Sequence, residues 1–238
     1  AKIKSIEADR LLRKQKAELD NISKQLIEVQ LASLRSQMNP HFIFNALNSI
    51  KKFILDNDVE NADKYLGKFS RLIRSILENS RSGTISIQKE IEMLTLYLGL
   101  EKLRFGKKLS FDMQVDPSLL EGNVLLPTMI VQPFVENAIK HGLMHKETDG
   151  QILISFKDHA KYVEININDN GVGRKIAGEL SAAYRNVHTS LGIEITTARL
   201  VALKTSPEIP AGIEITDLEN PDGTSAGTSI NILVPKLN

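Results

Sequence analysis

Cysteine is absent from all 238 residues, which excludes disulfides and thiolate-bound metal and fits a reducing compartment. No apolar run is long enough to span a bilayer, and no signal peptide is visible. The longest greasy stretch, Leu125 to Val135, is broken by Pro127, Gln132 and Pro133, so soluble material is expected. Charge of one sign is also lacking. The net value is +1, and nothing in the balance points to a nucleic-acid partner. The pattern G-x-x-x-x-G-K-[ST] occurs nowhere, so a Walker-type phosphate loop is excluded. What remains is ordinary globular composition, 42% hydrophobic and 25% charged, with length enough for one large domain or two small ones. The chain opens at Ala1 inside a charged helical pattern, which reads as a piece of something longer.

Three regions follow from periodicity. Over about 5–33, Ala8, Leu12, Gln15, Leu19, Ile22, Leu26 and Val29 keep three-four spacing, the seam of a coiled coil that wants a partner helix, a second copy of the chain above all, with one surface helix of a bundle as the alternative. Residues 1–33 are therefore expected to be a signalling helix. Residues 34–105 are expected to form a helical dimerisation region, with helices at about 34–55, 60–79 and 86–103. Beyond Gly106 the period changes to two. Leu109–Val115, Gln151–Phe156, Tyr162–Asn168, Gly212–Thr216 and Thr228–Val234 read as strands. Helices at about 128–142 and 192–204 lie between them, and Asn220-Pro221-Asp222-Gly223 reads as a hairpin turn. The expected fold class is α+β, with 106–238 an α/β sandwich whose helices cover one face of a sheet.

Two constellations carry chemistry. On the helix over 34–55, helical steps from His41 reach Gln37, Asn45, Asn48 and Lys52, a polar stripe apart from the apolar residues. His41 should thus face solvent or a cleft, with Pro40 kinking the helix just before it. The second is split across the later region. Along Tyr162–Asn168, Val163, Ile165 and Ile167 share a face, and Asp169 is next in that alternation. A carboxylate aimed inward needs a partner, and the exocyclic amine of adenine is a suitable one. Gly171 and Gly173 let the backbone approach a ligand.

On the helix over 128–142, Asn137 shares a face with Ile130, Phe134 and His141. Its amide oxygen can help hold Mg²⁺, and Lys140 and His141 can neutralise phosphate charge. Gly192 opens a helix whose N-terminus could receive phosphates. A zinc reading of His141 and His145 fails for want of a third ligand, and Gly142 stands where a zincin has its glutamate.

Asn39-Pro40-His41-Phe42-Ile43-Phe44-Asn45, with Glu136-Asn137-Ala138-Ile139-Lys140-His141-Gly142 and Asp169–Gly173, resembles the sensor histidine kinases of the LytS/YehU type over about 34–236. That family joins an N-P-H-F-x-F-N segment to a GHKL ATPase domain. The resemblance implies autophosphorylation of His41 by ATP, with transfer to an aspartate of a response regulator. It implies Mg²⁺ on Asn137, the adenine amine on Asp169, and Gly171, Gly173, Gly192 and Thr228 bordering the nucleotide, with about 174–191 as a mobile lid. It also implies a homodimer, a membrane sensor beyond this chain, and a place on the cytoplasmic side of a bacterial inner membrane. Asn45 takes the position from which other histidine kinases orient water for dephosphorylating the regulator. Phe42 follows the histidine where many such kinases have an acidic residue, so the general base is unassigned.

The rivals are weaker. ATP hydrolases of the gyrase, Hsp90 or MutL kind place a glutamate one turn before the metal-binding asparagine, and here that place is Pro133. A nucleotide-binding dimer module without kinase activity is the alternative that leaves His41 idle. Serine kinases of the anti-sigma kind lack a bundle with its own histidine.

Overall fold

The computed structural model describes residues 40–79, 82–144, 146, 149–177, 196–200 and 209–237. The expected coiled-coil helix over 5–33, the kink before His41 and most of the lid lie outside them. Residues up to Lys51 and residues from Lys52 onward form separate compact units.

In the first unit, helix α1 (Pro40–Leu55) begins and runs on past Lys51. Phe42, Ala46 and Ser49, at helical spacing, are buried, whereas Phe44 and Leu47 stand 66% and 54% exposed.

In the second unit, α1 ends in a left-handed cap at Asn57 (φ 55°). Asp58 N–H reaches back to the Phe53 carbonyl at 2.8 Å and Asn57 N–H to that of Ile54 at 3.1 Å, the paired bonds that stop a helix. The Asp58 carboxylate then accepts from Asn61 N–H and opens α2 (Val59–Asn79). Helix α2 buries Tyr65, Leu72 and Ile76 and packs along α3 (Ile87–Phe105). Gly106, at φ 62°, ends α3 with its N–H on the Lys102 carbonyl.

Two short strands escape the periodicity altogether. β1 (Thr84–Ser86) pairs antiparallel with β3 (Leu125–Pro127), and three residues are too few to show a period of two. Through β1 and α3, the segment from Thr84 to Phe105 is joined to residues beyond Gly106. Between β2 (Leu109–Val115) and β3 lies α4 (Pro117–Glu121), a short helix likewise unforeseen. Asp116 caps it, and Pro117 sits in its first turn.

The main sheet has the order β2-β4-β5-β7-β6, with β4 (Gly150–Asp158), β5 (Tyr162–Asp169), β6 (Gly212–Glu219) and β7 (Ser225–Pro235). β2 and β4 run parallel and every other pair antiparallel. Ile154, Ile167 and Ile230 lie abreast, as do Phe156, Ile165 and Ile232, and all six are buried. The alternate face carries Glu164, Asn166, Asn168, Ser229 and Asn231. Helix α3 packs on β2, and the helical turn after Asn137 packs on β4, β5 and β7. The expected α+β sandwich is thus present, and Gly223 (φ 80°) turns the β6–β7 hairpin where foreseen.

Ile165→Ala, at the centre of the buried ladder, should cost about 2–5 kcal/mol, read as a lowered urea midpoint with the slope unchanged.

Candidate functional site

Strand β5 delivers Asp169 to its site by simple alternation. Val163, Ile165, Ile167 and Asp169 are all buried, the aspartate only 5% exposed. Its Oδ1 accepts from Gly171 N–H at 2.8 Å, and the Thr228 backbone lies abreast of it on β7 and favours the charged carboxylate. Burial outweighs both and raises Asp169 to about 6, with the Lys146 ammonium opposing the rise. Asn170 fastens the turn to β4, accepting from Gln151 N–H at 2.7 Å, while Lys146 Nζ donates to the Asn170 carbonyl at 2.7 Å.

The glycines answer to close backbone approach. A Cβ on Gly171 would stand 2.6 Å from Gly142 Cα and 2.7 Å from Asp169 Oδ1, distances no side chain tolerates. Gly227, at φ 118°, would drive a Cβ into the Asp169 carbonyl oxygen, and Gly173, at φ 77°, into Ser225 Oγ. Val172 N–H closes the contact by donating to the Gly142 carbonyl at 3.1 Å.

Gly142 belongs to the other half of the site. The helix expected over 128–142 starts later, as α5 (Gln132–Asn137), because residues 128–131 form a turn in which Met129 takes φ 56°. After Asn137 the winding loosens into a π-helical turn, Ala138–Leu143, a departure common at functional sites. Lys140 and His141 lie on it, half-buried.

The structure therefore gathers Asp169, Gly171, Gly173 and Thr228 at one end of the sheet. The turn carrying Lys140 and His141 is joined to them through Gly142, and Asn137 stands at the start of that turn. Gly192 and the side chain of His41 lie outside the described residues. Sequence reasoning assigned no role to Gly142, Gly227 or Lys146. Gly142 could have been found from its lack of a side chain directly after Lys140 and His141, whereas Lys146 carries no such signal. Among the described residues no group of three acidic or imidazole side chains could hold a metal unaided. An asparagine oxygen that shares its ion with phosphates and water is a different kind of site.

The chain matches the histidine kinase family over residues 29–109. It is 30% identical to the sensor protein LytS of Staphylococcus epidermidis over 210 residues, covering 88% of this chain and 34% of that protein. The LytS of Staphylococcus haemolyticus is 36% identical over 151 residues, 63% of this chain and 25% of that one. A Staphylococcus aureus relative named sensor histidine kinase/phosphatase LytS is 34% identical over 157 residues, 66% and 26% of the two chains. The chain spans about a third or less of the length of these relatives.

Asp169 should set a pH dependence in the nucleotide-free protein. Its folded value, about 6, exceeds the ordinary 3.8, so its contribution is fully present below about pH 4 and is lost as pH rises through 6. Asp169→Asn does not titrate. The stability of this variant relative to the wild type should rise by on the order of 2 kcal/mol between pH 4 and 7, measured by urea unfolding. A difference that stays flat with pH would refute the buried carboxylate.

Proposed function

Because this chain belongs to the LytS-type histidine kinase family, we propose that it is the ATP-dependent phosphotransfer part of a sensor kinase. In this reading a neutral imidazole nitrogen of His41 attacks the γ-phosphorus of ATP, the bond from phosphorus to the β,γ-bridging oxygen breaks, and ADP leaves. The phosphoryl group then passes to an aspartate carboxylate of a response regulator. The observation that carries the reading is Asp169. It is a buried carboxylate held by the Gly171 backbone N–H at the end of a strand, with acceptor capacity left for the adenine amine.

Asn137 would hold Mg²⁺, and the ion would neutralise charge on the phosphates when bound. Lys140 and His141 would add positive charge on the same turn. Gly171, Gly173, Gly192 and Thr228 would border the nucleotide, with about 174–191 as a lid. Family relatives are sensor proteins, so a membrane sensor upstream is part of the proposal. No helix among the described residues is long and apolar enough to cross a membrane. The division into 1–33, 34–105 and 106–238 is proposed as signalling helix, dimerisation region and ATP-binding domain.

Homodimerisation is supported by apolar side chains left exposed on two helices, Phe44 and Leu47 on α1 and Val59, Leu66 and Leu77 on α2. Such rows want cover, and a second copy supplies it. Asn45 would orient water if the chain is also a phosphatase, the word that the name of the Staphylococcus aureus relative carries for that protein.

Incubation with Mg²⁺ and γ-labelled ATP should give acid-labile, base-stable label on the wild type. His41→Gln should abolish it while nucleotide affinity stays within about twofold. Label persisting in His41→Gln would sink the assignment of the histidine. Asn137→Asp should remove both label and Mg²⁺-dependent nucleotide binding, checked by calorimetry with and without the metal. Nucleotide binding without label in the wild type would favour a nucleotide-binding dimer module.

A further inference from the structure

Helix α3 carries a carboxylate that the phosphotransfer reading leaves unused. Glu90 is 1% exposed, and it faces the turn leading into α5. Its Oε2 accepts from Met129 N–H at 3.3 Å and its Oε1 from Val131 N–H at 3.4 Å. Met129 is one of two non-glycine residues with positive φ among those described, a conformation that persists only where its surroundings impose it. One carboxylate spans both N–H groups of that turn. No apolar side chain of the same size could do so.

The same turn is tied from two further directions. Thr128 N–H and Oγ donate to the carbonyls of Gly83 and Ser82, in the segment that leaves α2. Arg199, from the helical residues 196–200, donates to the Thr128 carbonyl at 3.0 Å, and its charge also acts on Glu90. Residues 128–131 are therefore a junction where α2, α3 and the helix beyond the lid meet the start of α5. Three turns along α3, on the same face, buried Glu101 pairs with Arg104 at 3.1 Å and interacts with Glu136. Gln132 Nε2 in turn donates to Glu136 at 2.9 Å.

We propose that Glu90 is a positioning residue for the nucleotide site, its carboxylate holding the turn at Met129–Val131 and thereby the angle at which α5 presents Asn137. The inference rests on the nucleotide reading of Asn137 and names the element that sets its geometry. Burial raises Glu90 to about 7, a cost that a residue serving only to fill space would not carry.

The test is calorimetry of the whole chain with Mg²⁺ and the β,γ-imido analogue of ATP, at a temperature where circular dichroism shows each variant folded. Glu90→Ala should weaken binding about tenfold, the scale of one lost charge-assisted hydrogen bond. Glu90→Gln, which keeps an acceptor oxygen in place, should recover affinity to within about threefold of the wild type. Glu90→Asp, charged but one methylene short, carries the test if the alanine variant does not fold. Leu98→Ala, fully buried on the same helix, destabilises by packing alone and should leave the affinity of the folded protein unchanged. Equal weakening in Leu98→Ala, or full affinity in folded Glu90→Ala or Glu90→Asp, would overturn the role of Glu90 and leave the nucleotide reading standing. No binding by the wild type would overturn the nucleotide reading and this inference with it.

Discussion

The candidate site depends on one close approach, the backbone of Gly142 against the backbone of Gly171, with the Asp169 carboxylate at its edge. The first glycine ends a π-helical turn and the second follows a β-strand, so the contact joins two layers of the domain at a distance only bare backbone allows. The bond from Val172 N–H to the Gly142 carbonyl fixes their register. Because Asp169 lies against this contact, its burial and its hydrogen bonds are set by how helix layer and sheet meet. Neither element could create that environment alone.

Buried acidic groups recur through this half of the molecule, and two of them are answered mainly by backbone N–H. Asp169 is held by Gly171, Glu90 by Met129 and Val131. A carboxylate that accepts from main chain gains direction, since peptide donors are fixed where a lysine would wander. The cost is desolvation, visible in the raised values of both groups. Such an arrangement is poor for stability and good for specifying geometry, which is what a phosphotransfer site requires of the parts that orient a nucleotide.

The helical part follows a different logic. Helix α2 buries Tyr65, Leu72 and Ile76, yet leaves Val59, Leu66 and Leu77 uncovered. A helix apolar on two sides is suited to two partners, and α3 accounts for one of them. Stop and start signals at Asn57 and Asp58 keep the connection from α1 to α2 short.

Much of this was legible in the residues, because the information is local. Alternation along Val163, Ile165 and Ile167 placed Asp169 on the inner face, and the structure puts it there at 5% exposure. Helices α2 and α3 and the longer strands followed from their periods, and the turn at Asn220–Gly223 from its residue types. Two things were not local. Strands β1 and β3 are three residues each and exist only because each supplies the other's hydrogen bonds across some forty residues of chain. The use of Glu90 shows only when Met129 and Val131 arrive from a distant segment. The chain by itself determined which residues alternate, which face they share and where turns fall, since these depend on neighbours a few bonds away. Tertiary structure alone decided the strand order, the loosened turn after Asn137 and the seat of each buried carboxylate. Those depend on which backbone groups meet across the fold, and spacing along the chain carries no record of that.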